Sequence, residues 1–394
     1  MKFSFEVFKK DSKSLARVGI IDTAHGKIDT PAFSPVATKG TVKALSPNDL
    51  KEAGCQVVLG NTYHLYLQPG VEVIKKFGGL GAFMGWNGPT ITDSGGYQVS
   101  FLWNGNKDDR NKDNKKQSYG KVTKITDRGA FFSSYIDGSK HLITPEKSIE
   151  IQHILGADMI MAFDQPLGSD FLQEEKKEAF GRTLKWEERS FVEWKRLGST
   201  QALFGIIQGE TDRTLRRESL KFLLGLGFPG LAIGGESIGS DPKITAKALD
   251  TVADLLPEDK PLHALGLGGG PEGIFTGIER GVDIFDNSSV TRMARTGLTF
   301  IYPEDGGKPS NKFRLDINKS KFREDKSPIS KICNCFSCQN FSRAYIRHLL
   351  VANEVLGLRL TSIHNVAYIN NLMALIRDAI YNNDFNQLKH SWLK

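Results

Sequence analysis

Residues 202–235 read ALFGIIQGETDRTLRRESLKFLLGLGFPGLAIGG. The first six are an unbroken apolar run stopped by Gln208-Gly209, the pattern of a strand buried on both faces. Thr211–Leu226 follows with helical spacing, and Gly230–Ile233 is a second apolar run closed by Gly234-Gly235. Strand, helix and strand in this order form a right-handed crossover unit of a parallel sheet. Outward from this unit the same alternation recurs. Further strands are expected at Gln56–Leu59, Thr90–Thr92, Met159–Phe163, His263–Leu267 and Asp283–Phe285. Helices are expected at Ser46–Ala53, Pro145–Leu155, Glu174–Leu197, Pro242–Leu255 and Pro271–Arg280. Ser46-Pro47 and Thr144-Pro145-Glu146 carry helix-start chemistry, a capping hydroxyl followed by proline at the first helical position. The number of units suits a (β/α)8 barrel, with a doubly wound sheet as the alternative.

The chain has 394 residues, 39% of them hydrophobic and 25% charged, ordinary values for a globular protein with a sizeable core. Its formal charge of +7 favours an anionic partner without naming one. No apolar run has the length of a membrane span, and MKFSFEVFKKDSK lacks the apolar core of a secretory signal. Three of the four cysteines crowd between 333 and 338, unlike an extracellular disulfide framework, so a cytoplasmic location is expected. Residues Asn104–Lys121, NGNKDDRNKDNKKQSYGK, are almost devoid of apolar side chains and read as a mobile surface insertion. A polar, lysine-rich stretch from Pro303 to Pro328 reads as the link between a barrel over 1–302 and a C-terminal segment over 303–394.

Polar residues fall at strand ends. Asp93, Asp164, Gln208, Gly235 and Asp286 each stand at or just after an expected strand, where a barrel gathers its active site. Thr92-Asp93-Ser94-Gly95-Gly96-Tyr97-Gln98 combines an acid with glycines that let a ligand approach the backbone, and Tyr97 offers a flat face or simple packing. Asp164, Gln208 and Gly234-Gly235 supply the donors and acceptors needed to read a purine edge. Asp286 is followed by Arg292 and Arg295, which keep it ionised, hold phosphates, or form a plain salt-bridge network. An ionised aspartate at a sugar carbon, with a second carboxyl group handling protons, is the chemistry of retaining glycosyl transfer. Gly266-Leu-Gly-Gly-Gly270 does not fit a dinucleotide loop. Cys333-Asn-Cys335-Phe-Ser-Cys338 with one histidine makes a four-ligand structural zinc site; His348 and His364 both remain candidates at this level. Cys55 stands apart as a small core residue.

The runs ATKGTVKALSP, LGNTYHLYLQPG, TDSGGYQV, DMIMAFD, FGIIQG, LAIGG, ERGVDIFD, TRMAR and CNCFSCQNFSRAYIRHLL are similar, in order, to the tRNA-guanine transglycosylases. The resemblance implies an irregular (β/α)8 TIM barrel with a C-terminal zinc-binding subdomain. It implies Asp286 as the nucleophile at C1′ of the target nucleotide and Asp93 as general acid/base and base contact. Asp164, Gln208 and Gly235 would read the purine edge, with Tyr97 and Leu265 on its faces. Lys43, Thr291, Arg292 and Arg295 would hold the tRNA around a U-G-U anticodon. Cys333, Cys335, Cys338 and His364 would bind one zinc ion, which decides between the two histidines. Members commonly form homodimers. The reaction implied is exchange of a tRNA guanine for 7-aminomethyl-7-deazaguanine, or for queuine; a non-catalytic tRNA-binding accessory subunit is the other reading, and a DNA-directed relative fits the anticodon-reading motifs poorly. The chain departs from the family at Pro166, where bacterial members often have Cys. It also departs at Glu236 for the usual Leu, at Ser240 for a Glu that supports the recognition loop, and at Asn287-Ser288-Ser289-Val290 for Cys-Val-Met-Pro. Glu236 is expected either to pair with the cationic 7-substituent or to point away from it.

Overall fold

The structure, a computed structural model, describes residues 3–101, 122–168, 171–239 and 241–394. The expected insertion and Ser240 lie outside the described residues. The strands that form the ring are short, apolar and buried. They are β1 (Ala32–Ser34 and Val36–Ala37), β2 (Val58–Gly60), β3 (Thr90–Thr92), β4 (Met159–Met161), β5 (Ala202–Ile207), β6 (Gly230–Ile233), β7 (Leu262–Ala264) and β8 (Ile284–Asp286). Neighbours pair in parallel all the way round. The ring closes through β1, whose first half pairs with β8 (Asp286 opposite Ser34) while its second half, beyond Pro35, pairs with β2. Every residue of β5 is buried, as a strand enclosed on both faces requires. This is the barrel of the sequence reading, not the doubly wound sheet.

The helices lie between strands. They are α1 (Pro47–Glu52), α2 (Thr62–Leu67), α3 (Pro145–Leu155), α4 (Gln173–Arg196), α5 (Arg213–Leu226), α6 (Pro242–Asp250), α7 (Pro271–Ile278) and α8 (Ser289–Ala294). Ser46 and Thr144 cap α1 and α3 as their sequence signals require, each accepting from the amide three residues on. The stretch expected as one helix from Pro242 to Leu255 is instead α6 followed by a 3-10 turn at Ala253–Leu255. Two antiparallel sheets outside the ring were not anticipated: Ser4–Lys10, Arg17–Thr23 and Gly26–Thr30, and Val122–Thr126, Gly129–Ser133 and Lys140–Ile143. No helix among the described residues is long and apolar enough to cross a membrane.

The stretch after Pro303 is more than a link. Its segment Arg314–Asp316 pairs back onto Leu298–Phe300, and Phe313 and Ile317 are wholly buried beside it. The long helix α9 (Val355–Tyr381) then lies across the barrel wall. Its buried Asn365 accepts from the Phe300 amide at 2.9 Å and donates to the carbonyls of Val290 and Leu298, both at 3.1 Å. Arg359 pairs with Asp49 of α1 at 2.7 Å, and Arg377 donates to the Pro31 carbonyl at 2.7 Å. Replacing Asn365 by Ala strands the buried Phe300 amide and the Leu298 carbonyl and removes a second donor from the helical carbonyl of Val290. At about 1–3 kcal/mol for a buried polar group left unpaired, a loss of about 3 kcal/mol is expected in urea unfolding. A variant within 0.5 kcal/mol of wild type would show that α9 is held by its apolar face alone.

Candidate active site

Asp93 follows β3 and sits over the start of α2. Thr62 N, the first helical amide, donates to its Oδ1 at 2.8 Å, and the capping residue Asn61 donates through Nδ2 to Oδ2 at 2.5 Å. Asn61 can do both jobs because its Oδ1 caps α2 by accepting from His64 N at 3.0 Å. Burial pushes the Asp93 carboxyl up to about 7; the Thr62 amide opposes this, and the nearby charges of Asp286 and Asp164 add to it. Asp93, Asp164 and Asp286 therefore occupy one electrostatic neighbourhood. An acid titrating near neutrality is suited to give and take a proton.

Beyond β4, Asp164 is buried and accepts from Gln208 Nε2 at 2.7 Å and from Ser94 Oγ at 3.4 Å. Burial raises its carboxyl to about 6, against the hydrogen bonds from Gln208 and Ser94. The contact fixes the Gln208 amide and leaves its buried Oε1 with no protein partner among the described residues. A Cβ at Gly96 would collide with the carbonyl and carboxylate of Asp164, so only glycine lets this loop approach. Gly235 has φ +106, and a Cβ there would lie 2.5 Å from Glu210 Oε1. Glu210 accepts from Glu236 N at 3.0 Å through Oε1 and from Ser237 N at 3.1 Å through Oε2. The wholly buried Arg216 of α5 completes the clamp, donating to the carbonyls of Ile207, Glu210 and Gly234 and to Ser237 Oγ.

Asp286 ends β8 and is 8% exposed. His263 Nε2 lies 2.9 Å from its Oδ1, and Gly266 N donates to the same oxygen at 3.0 Å. Among the described residues no ion pair joins Asp286 to Arg292 or Arg295, so the salt-bridge alternative of the sequence reading gives way to a histidine and a backbone amide. Arg292 is exposed and Arg295 half-buried on either side of the end of α8, while Thr291 is buried within it. Burial, then the charges of Arg295 and Lys39, lowers the Lys43 ammonium, so Lys43 belongs to the same basic rim. Tyr97 is 59% exposed; partial burial, then the Glu236 charge, raises its phenol, and Arg292 opposes the shift. The charges of Glu236 and Arg292 thus both lie near Tyr97. Leu265, half-buried, lies between β7 and Gly266.

The thiols of Cys333, Cys335 and Cys338 and one ring nitrogen of His364 all lie within 4.8 Å of one another, and all four residues are buried. His364 Nε2 is 2.8 Å from the Phe300 carbonyl and must carry its proton there. This turns the Nδ1 lone pair toward the sulfurs, the arrangement a metal-bound imidazole needs. His348 is exposed on another helix and takes no part. The group can hold one metal ion. Cys55 is apart from it, buried against Asn370.

A family model described as queuine tRNA-ribosyltransferase matches residues 11–394. The chain belongs to the queuine tRNA-ribosyltransferase family. It is 43% identical to the queuine tRNA-ribosyltransferase of Caldanaerobacter subterraneus subsp. tengcongensis over 392 residues, 99% of this chain and 96% of that protein. The protein of that name from Desulforudis audaxviator is 42% identical over 393 residues, covering 100% and 98% of the two chains. That of Psychrobacter sp. (strain PRwf-1) is 44% identical over 375 residues, covering 95% and 92%. Asn61, Glu210, Arg216 and His263, which touch the candidate residues or their loops, are not singled out by the sequence reading. Glu210 stood in view beside Gln208-Gly209, but nothing in one dimension says which loop it holds. Asn287, one of the departures, donates to the Gly266 carbonyl at 2.5 Å and so steadies the loop whose amide touches Asp286.

The raised carboxyls fix the sign of a pH effect. In the unfolded chain Asp93 and Asp164 lose their protons around the ordinary carboxylate value near ~4. In the folded protein they keep them until pH about 6 to 7. Across that window the native state binds more protons, so stability from these groups is fully present below it and lost as pH rises through it. The Asp93→Asn variant should accordingly lose less melting temperature between pH 5 and pH 8 than wild type. Parallel losses in calorimetric scans would mean that Asp93 is not held protonated.

Proposed function

We propose that this chain is a tRNA-guanine transglycosylase that exchanges guanine at the anticodon wobble position, in a U-G-U context, for 7-aminomethyl-7-deazaguanine. The observation that carries this reading is the electrostatic neighbourhood shared by Asp286 and Asp93, one an acid held by His263 and Gly266, the other titrating near 7. Asp286 attacks C1′ of the ribose as the bond from C1′ to N9 of guanine breaks. The bonding pair leaves with guanine, which takes a proton from Asp93. The incoming base then returns a proton to Asp93, its N9 bonds to C1′, and the bond from C1′ to Asp286 breaks. One glycosidic bond is replaced by another, so no energy-rich cofactor enters. The target base is unpaired in an anticodon loop and turns out of the stack at low cost.

Asp164 accepts from the purine N1–H and N2–H edge, and the Gln208 amide and the Gly235 backbone complete the set, with Tyr97 and Leu265 against the ring faces. Lys43, Thr291, Arg292 and Arg295 hold the surrounding nucleotides and phosphates. Two features support a base with a cationic 7-substituent. Glu210 accepts from the amides of Glu236 and Ser237, which withdraws those two donors from a ligand beside this stretch of backbone. The Glu236 charge is felt at Tyr97, on the face where the base would stack. The ion held by Cys333, Cys335, Cys338 and His364 is proposed to be zinc, four-coordinate and structural; its thiolate-rich set suits that metal. A cytoplasmic homodimer acting on tRNA is the proposed working form.

Radiolabelled guanine should enter tRNA bearing a U-G-U anticodon with wild-type protein, and Asp286→Asn should reduce the rate at least about a thousandfold, the scale on which loss of a covalent nucleophile is felt. An unaltered rate in the variant removes Asp286 from its role, and no exchange by either protein favours a binding subunit. In competition, 7-aminomethyl-7-deazaguanine should displace queuine, and Glu236→Leu should raise its KM several-fold. Preference for queuine by wild type would reassign the incoming base.

A further inference from the structure

His263 lies in β7, wholly buried, beside the strand that ends in Asp286. Its Nε2 is 2.9 Å from Asp286 Oδ1, while its Nδ1 is buried and meets no hydrogen-bonding partner among the described residues. A carboxylate oxygen can only accept, so Nε2 is the nitrogen that carries a proton toward Asp286 and donates it to Oδ1. Gly266 N donates to the same oxygen at 3.0 Å. Both donors converge on Oδ1, so Oδ2 is the oxygen left to bond carbon.

A donor holds a carboxylate ion more strongly than it holds the carbonyl oxygen of an ester made from that carboxylate, because charge on the acceptor roughly doubles the bond. We propose that His263 is a positioning residue for Asp286 that directs Oδ2 toward C1′ and keeps the covalent aspartyl–ribose intermediate short-lived. The inference rests on Asp286 being the nucleophile. In the second half of the reaction the deprotonated N9 of the incoming base bonds to C1′ and the bond from C1′ to Oδ2 breaks. The electron pair returns to the carboxylate, whose restored charge faces the Nε2–H of His263. The same bond makes attack somewhat slower in the first half, so His263 shifts the balance between free enzyme and adduct as well as the rate.

The test compares wild type, His263→Phe and His263→Gln with U-G-U tRNA at one fixed concentration of free guanine. The readouts are the fraction of enzyme trapped as a denaturation-resistant RNA adduct, and kcat and KM for guanine exchange. Phe keeps a flat buried ring without a donor; Gln returns an amide N–H near the position of Nε2. His263→Phe should raise the ratio of adduct to free enzyme about tenfold, the effect of losing one charge-assisted hydrogen bond. It should lower kcat with the KM for tRNA little changed, and His263→Gln should move both quantities back toward wild type. If the Phe variant does not fold, His263→Asn, whose shorter amide falls short of Oδ1, carries the same expectation. Adduct in wild type with an unchanged or smaller ratio in the donor-less variant overturns the role of His263 alone. A wild-type protein that forms no adduct overturns the nucleophile reading, and this inference with it.

Discussion

The site exists because six residues, 32–37, pair on both sides. Ala32–Ser34 take β8 as a partner and Val36–Ala37 take β2, so a sheet that would otherwise have two edges becomes a ring. In a ring of parallel strands the carboxyl ends point one way and converge. Asp93, Asp164, Gln208, Gly235, Gly266 and Asp286 belong to the ends of six different strands, and only closure brings the last of these near the first. The charge of Asp286 is felt at Asp93 for that reason.

Much of this was legible in the sequence, because a parallel strand buried on both faces is an apolar run and its end is marked by the first polar residue. Thr90–Thr92, Ala202–Ile207 and Gly230–Ile233 were read with the bounds they have. The closing strand was not. AFSPVA is split by Pro35 and preceded by Pro31, and proline argues against a strand when only one dimension is in view. It survives here because Pro35 falls between the two halves, at the point where the pairing changes sides. The outer antiparallel sheets were missed for another reason: Ser4–Lys10 alternates between exposed and half-buried residues and offers no apolar run.

The same limit separates the site residues that were found from those that were not. Acids after strands declare themselves by position. Arg216 sits in the charged helical run RTLRRE and looks like any solvent-facing arginine, yet it is wholly buried and ties four groups together. Burial draws its guanidinium down to about 10, and the charge of Glu210 opposes the shift. His263 reads as one polar residue inside an apolar strand. Its significance appears only when the neighbouring strand presents Asp286 at 2.9 Å. The metal-ligand set lay between these extremes: the thiols are local in sequence, but the histidine comes from a helix that the spacing of the cysteines does not specify.

Ring closure also has a meaning for the order of events on the ribosome. The first half of β1 is made early and its partner β8 emerges roughly 250 residues later, so this pairing is among the longest-range contacts in the chain. Until then the nascent sheet carries two open edges of short apolar strands, the kind of surface that invites wrong partners. Chaperone demand should therefore peak while the middle of the polypeptide is being translated, and fall once the stretch around residue 286 clears the exit tunnel.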